Sequence, residues 1–129
     1  MPKQAEPIVA PDPAEAACCP PMAQRSLSAE TATMLAPALK ALGDPVRLQL
    51  MSMIASAPDG EICVCDLTPA FELTGPTISY HLRTLRESGL VDAERRGTWV
   101  YYRARTGIMR QLATLLTVDG ATSALTERG

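Results

Sequence analysis

From Glu72 to Arg103 the chain reads ELTGPTISYHLRTLRESGLVDAERRGTWVYYR, and two periodicities meet inside that stretch. Ile78, Leu82 and Leu85 stand at i, i+4 and i+7, the spacing of one helical face. Thr74-Gly75-Pro76 precedes them as a helix start and Gly89 follows as a stop, so the spacing predicts a helix over 76–88. From Leu90 the period falls to two. Val91 to Arg96, a turn at Gly97-Thr98, and Trp99 to Arg103 predict a β-hairpin rich in aromatic and β-branched side chains. Opposite the apolar face of the helix stand Thr77, Ser79, Tyr80, His81, Arg83 and Thr84, all able to hydrogen-bond.

Upstream, helical spacing begins at Ala29, with Met34, Leu35, Ala38, Leu39 and Leu42 on one face and Gly43 as terminator. Asp44 then caps a second helix with Pro45 at its first position, and Val46, Leu50, Met53 and Ile54 form its apolar stripe. A short third element runs from Cys63 to Phe71, and a last helix from about Gly107 to Val118 carries Ile108, Leu112, Leu115 and Leu116. A short helix, a tight turn through Glu72–Gly75 and a helix with a polar outer face form a helix-turn-helix. With the hairpin behind it, the expected fold is mainly α with a β-hairpin wing, a winged helix-turn-helix. The expected organisation is an N-terminal arm over 1–28, Pro-rich and without periodicity, one domain over 29–118, and a frayed tail over 119–129.

A length of 129 residues suits one hydrophobic core, and 47% hydrophobic with 20% charged residues is ordinary for a soluble globular protein. No run approaches the roughly 18 apolar residues of a membrane span. The first 22 residues hold Lys3, three acidic residues and six prolines but no apolar core of a secretory signal, so a cytoplasmic location is expected. The net charge of −2 is unevenly placed. Residues 1–73 carry four basic against nine acidic side chains, whereas 74–110 carry seven arginines against Glu87, Asp92 and Glu94. A basic segment within an acidic chain is the footprint of an element that faces nucleic acid, although a solvated face has the same composition.

A helix that reads a DNA groove needs short hydrogen-bonding side chains near its N-terminus. Thr77, Ser79, Tyr80 and His81 meet that need, and Arg83 adds a phosphate or guanine contact. Any one of them serves equally as a solvated polar residue, and His81 as a bonded helix histidine; the set, following a turn and preceding a basic hairpin, favours duplex DNA. Arg95 and Arg96, beside the hairpin tip, suit a minor groove. The wing aromatics are expected to pack against the recognition helix rather than to stack on bases.

The four cysteines fall in two pairs, Cys18-Cys19 in the arm and Cys63-Val64-Cys65 at the start of the third element. Mid-helix, residues i and i+2 point to different sides. At an extended approach to a helix, the two sulfurs share a face, and helix-start N–H groups favour the thiolate. Pro69 agrees, because a proline deep in a helix would break it. Thiolates select soft or thiophilic ions over magnesium or calcium. Buried, inert cysteines are the plain alternative. The lone histidine, His81, lies on the DNA-facing side, and neither cysteine pair has zinc-ribbon spacing. A thiol enzyme would need a general-acid partner and a Cys-x-x-Cys or phosphate loop; with neither present, no catalytic role is expected.

The segments from Leu39 to Leu48, Glu61 to Leu67 and Pro76 to Val91, closed by Trp99-Val100-Tyr101-Tyr102, resemble the ArsR/SmtB repressors over about residues 30–118. The resemblance implies a homodimer joined through its first and last helices, a dyad-symmetric operator, and derepression on metal binding. Cys63-Val64-Cys65-Asp66 is similar to the family's arsenic- and cadmium-responsive site, which some members complete with cysteines of the N-terminal arm. The implied ligands are therefore drawn from Cys18, Cys19, Cys63 and Cys65. The implied inducer is As(III), with Sb(III), Cd(II) or Pb(II) as alternatives and a thiol-redox signal as a third. Residues 107–118 lack the aspartate and histidine of the family's other, zinc-binding site. Thr74-Gly75, where serine and glutamine are usual, and Pro69 depart from the family pattern.

Overall fold

The computed structural model describes residues 21–118, in which helix α1 (Ala29–Leu42) is followed by α2 (Pro45–Ala55), a two-residue strand β1 (Ile62–Cys63) and a single helical turn α3 (Val64–Leu67). A 3-10 turn at Thr68–Ala70 then leads to α4 (Gly75–Glu87), β2 (Val91–Arg96), β3 (Trp99–Ala104) and α5 (Thr106–Leu116). These elements form two compact units, one made of residues 36–105 and the other of the described residues up to Leu35 with those from Thr106 onward. Helices α3 and α4 with the turn between them, followed by the β2–β3 hairpin, make this a winged helix-turn-helix fold.

In the larger unit, local chemistry explains each element. The Asp44 carboxylate accepts the N–H groups of Val46 (2.9 Å) and Arg47 (3.1 Å), satisfying donors that the first turn of α2 leaves without helical partners. Those bonds, the one from Arg47 foremost, hold its carboxyl below the ordinary value. Thr74 caps α4 in the same way through the N–H of Thr77 at 3.3 Å, with Pro76 in the first turn, where its missing donor costs nothing. The helix ends in a Schellman arrangement. Gly89 sits at φ 86°, its N–H bonds the Arg86 carbonyl, and the Leu90 N–H reaches back to the Leu85 carbonyl at 3.1 Å.

The core of this unit is Leu50, Ile54, Leu67, Ile78, Leu82, Leu85 and Leu90, with Val91, Ala38 and Ala41 beside them. Ile78, Leu82 and Leu85 are the expected face of α4, and burying each stabilises by roughly 1.5–3 kcal/mol. On α2 the buried set is Leu50, Met51 and Ile54, with Met53 and Val46 only half-buried, so the stripe is rotated by about a residue from the expected one.

The hairpin forms as its alternation predicts, closed by Gly97 at φ 65°, with Arg96 opposite Trp99 and Val91 opposite Ala104. The sequence pattern does not reveal the third strand. β1 pairs antiparallel with β3, Ile62 opposite Tyr102 and Cys63 opposite Tyr101, giving the sheet order β1-β3-β2. Trp99 is 53% exposed, so this aromatic does not pack away as expected, whereas Tyr101 and Tyr102 are half-buried.

In the smaller unit, α5 buries Leu112 and Leu115, Leu35 is buried on α1, and the Met22 N–H bonds the Leu115 carbonyl at 3.0 Å. Met34 and Leu116, both expected on apolar faces, are more than half exposed.

Candidate nucleic-acid interface and thiol pair

On α4, the residues read as a groove-facing set separate into two kinds. Ser79, Tyr80 and Arg83 are exposed, and Arg83 has no carboxylate partner among the described residues. Thr77 is half-buried, and its hydroxyl shares a 2.8 Å hydrogen bond with that of Thr74.

His81 lies at the edge of the buried face, its side chain 13% exposed. Arg47 Nη1 stands 3.0 Å from His81 Nδ1, and Arg47 Nε donates to the Ala41 carbonyl at 2.7 Å. A guanidinium only donates, so Nδ1 accepts and the neutral ring carries its proton on Nε2. The Asp44 carboxylate is 4.0 Å from the same nitrogen. His81 thereby ties α4 to the start of α2, a positioning role in addition to whatever its Nε2–H reaches. The ring edge of Tyr80 packs against it, centroids 5.4 Å apart.

The wing arginines also divide. Arg95 is exposed and makes no ion pair among the described residues. Arg96 is engaged on every side. Its guanidinium donates to both Glu61 oxygens (2.6 and 2.7 Å) and to Glu94 (2.9 Å), and it stacks 4.4 Å from the centroid of Tyr101. Arg103 Nη2 bridges the same two carboxylates at 3.1 Å. The Arg96 hydrogen bonds hold both carboxyls below the ordinary glutamate value, and Glu61 in turn raises the guanidinium pKa further. Sequence reasoning missed Glu61, which stands 35 residues from Arg96, and Arg47, 34 from His81. The only signal for Glu61 was an acidic residue just ahead of the cysteine pair.

Cys63 and Cys65 are brought together. Cys63 is the N-cap of α3, with extended backbone at φ −75° and ψ 145°, and its Sγ accepts the Cys65 N–H at 3.2 Å. The two Cα atoms are 5.1 Å apart and the sulfurs are joined as a disulfide. Cys63 is buried while Cys65 is exposed, so the pair presents one sulfur from beneath and one from the surface. Cys18 and Cys19 lie outside the described residues. Among the described residues, no three His, Cys, Asp or Glu side chains stand together to hold an ion. The pair therefore offers two sulfurs, and a pyramidal thiolate site needs a third from elsewhere. Among the described residues, no helix is long and apolar enough to cross a membrane.

A family profile described as "Bacterial regulatory protein, arsR family" matches residues 44–93. The arsenic resistance transcriptional regulator ArsR1 of Pseudomonas putida is 43% identical over 77 residues, 60% of this chain and 59% of that protein. The arsenical resistance operon repressor of Bacillus subtilis is 46% identical over 63 residues, 49% of this chain and 58% of that one. The chain thus spans just under three fifths of the length of either curated relative. In three dimensions it matches a homodimeric winged helix-turn-helix DNA-binding domain from Mycobacterium bovis, with a TM-score of 0.55 and 32% identity. That match covers 69% of this chain and 83% of the other.

Proposed function

Because the chain belongs to the arsR family of bacterial transcriptional regulators, we propose that it is an arsenite-responsive repressor that binds operator DNA as a homodimer and leaves it when cysteine thiolates capture As(III). What carries this reading is the sulfur pair of Cys63 and Cys65 at the head of α3, within one unit with the α4 face and the wing. Thiol–disulfide exchange with two equivalents of a small thiol, which leave as their own disulfide, converts the pair to two thiols held by one turn of backbone. Each sulfur–arsenic bond then forms as a thiol proton leaves with a hydroxyl of arsenous acid as water, without change of oxidation state. Cys18 or Cys19 supplies the third sulfur. Sb(III) has the same demand; Cd(II) and Pb(II) would recruit the same thiolates, cadmium preferring all four. The need for reduced thiols agrees with a cytoplasmic location.

Ser79, Tyr80 and Arg83 form the base- and phosphate-reading face in this proposal, with Thr77 and His81 at its margins and Arg95 and Arg96 on the wing. The exposed Met34 and Leu116 support a dimer made through the first and last helices, since large apolar side chains at the surface are commonly covered by a partner. No catalytic step is assigned to any residue.

The test is a fluorescence-anisotropy titration of the reduced protein on an operator selected from a random duplex pool. Arsenite is expected to release the DNA, magnesium to do nothing, and operator DNA to weaken arsenite binding by the same factor. An operator complex that survives saturating arsenite sinks the proposal. The joined sulfurs of Cys63 and Cys65 favour one second reading, in which oxidation of the dithiol by a peroxide is itself the signal. Release by peroxide and not by arsenite would select it.

The wing arginines give a separate expectation. Removing one arginine–phosphate pair lowers the slope of log affinity against log salt by about 0.9. Arg95→Ala is expected to lower that slope by this amount, and Arg96→Ala by less, since Arg96 is already neutralised by two carboxylates. Equal slopes for Arg95→Ala and the wild type would remove the wing tip from the interface.

A further inference from the structure

We propose that Glu61 is a positioning residue that links the cysteine pair to the DNA-binding charge of the wing, holding Arg96 and Arg103 back from phosphate to a degree set by the state of Cys63 and Cys65. The inference rests on the repressor reading above and adds the route by which the sulfur pair reaches the DNA. Three contacts carry it. Glu61 directly precedes β1, whose Cys63 pairs with Tyr101 of β3. The Tyr101 ring carries the Arg96 guanidinium. Arg96 closes the circuit through its paired hydrogen bonds to Glu61.

A ligand drawn between the two sulfurs cannot leave this circuit unchanged. Cys63 Sγ is the cap of α3, and replacing its bond to the Cys65 sulfur by a bond to an ion seated between the two moves the atom that accepts the Cys65 N–H. The backbone of β1 is only two residues long and is fixed by its ladder to β3, so a shift at Cys63 is transmitted to Glu61 on one side and Tyr101 on the other. The carboxylate cluster responds easily. Its pairs are solvent-exposed, Glu61 being the least exposed at 23%, and exposed ion pairs are weak enough for a phosphate to compete. Two arginines are thus poised between two carboxylates and the DNA, and of the two, Glu61 makes the paired contact to Arg96 and adjoins the cysteine strand.

The experiment compares Glu61→Gln with Glu94→Gln, both nearly isosteric and both removing one negative charge from the cluster. For the reduced protein, operator affinity is measured against salt concentration with and without arsenite, and arsenite binding is followed separately by loss of titratable thiols. Without arsenite, Glu61 withholds each arginine only part of the time, so Glu61→Gln is expected to steepen the salt slope by a fraction of the roughly 0.9 that a full arginine–phosphate contact contributes, for each of the two. Arsenite should flatten the slope of the wild type and of Glu94→Gln but leave that of Glu61→Gln unchanged, while all three bind arsenite equally. A Glu61→Gln slope equal to that of the wild type, or the same arsenite-induced change in Glu61→Gln and Glu94→Gln, overturns the proposal. If the wild-type complex ignores arsenite, the inducer assignment fails, and the arsenite-free slopes still decide whether Glu61 restrains the wing. Thermal melts of both variants separate any loss of fold, and Glu61→Asp, which keeps the charge, should restore the wild-type slope.

Discussion

Cys63→Ser and Cys65→Ser are each expected to bind operator as the unaltered chain does while losing its release by arsenite. Coupling between two ligands in a regulator is typically 1–3 kcal/mol, a change in affinity of about 5–150-fold, and that ratio should collapse toward one. The fold is expected to tolerate both changes. Cys63 acts as an N-cap, accepting the Cys65 N–H through sulfur, and serine is among the residues that fill this role best. Cys65 is exposed, so a hydroxyl in its place meets water. What serine cannot supply is a soft, deprotonated ligand. Cys18→Ser and Cys19→Ser should reduce the response less if the arm only completes the site. Anisotropy titrations of each operator complex with arsenite decide the matter. Full release from the Cys63→Ser, Cys65→Ser double variant would move the sensor to the arm.

The largest effect on stability is expected from Leu82→Ala. Leu82 has no exposed surface and stands in the middle of the apolar face of α4, between Ile78 and Leu85. Truncation removes the transfer energy of the lost carbons and leaves a cavity that the close-packed surroundings fill only in part, together about 2–5 kcal/mol. Domains of this size are stable by about 5–15 kcal/mol, so much of the folding energy disappears with one side chain. Urea denaturation should show a lower midpoint with an unchanged slope. A loss under about 1 kcal/mol would mean that the face of α4 carrying Leu82 is not the one that holds the helix.

How much of this was legible beforehand follows from the range of the interactions concerned. The α4 face, the hairpin and its Gly97 turn are local patterns, and Ile78, Leu82 and Leu85 fall where their spacing puts them. The side-by-side cysteines were legible for the same reason, because an extended residue ahead of a helical turn is a matter of neighbours. β1 was not. Two residues have no period to read, and their partners, Tyr101 and Tyr102, lie some forty positions away. His81 was ambiguous for a geometric reason. It is three residues beyond Ile78 and one before Leu82, at the border of the buried stripe, and the partners its ring meets there, Arg47 and Asp44 at the start of α2, lie more than thirty positions away. Arg96 resembled Arg95 in sequence, and what separates them is a glutamate 35 residues earlier.

Between Ser88 and Leu90, α4 passes into the wing through one residue. An added Cβ at Gly89 would meet no atom within 4 Å, yet its φ of 86° is one that L side chains seldom adopt. The obstacle to replacing it is therefore torsional, not spatial. If helix and hairpin each enter a groove, their mutual phase along the duplex is fixed by the handedness of this single peptide joint. A residue that relaxed it to ordinary dihedrals would leave both elements intact and set them out of step, like two correct keys cut on one misaligned blank.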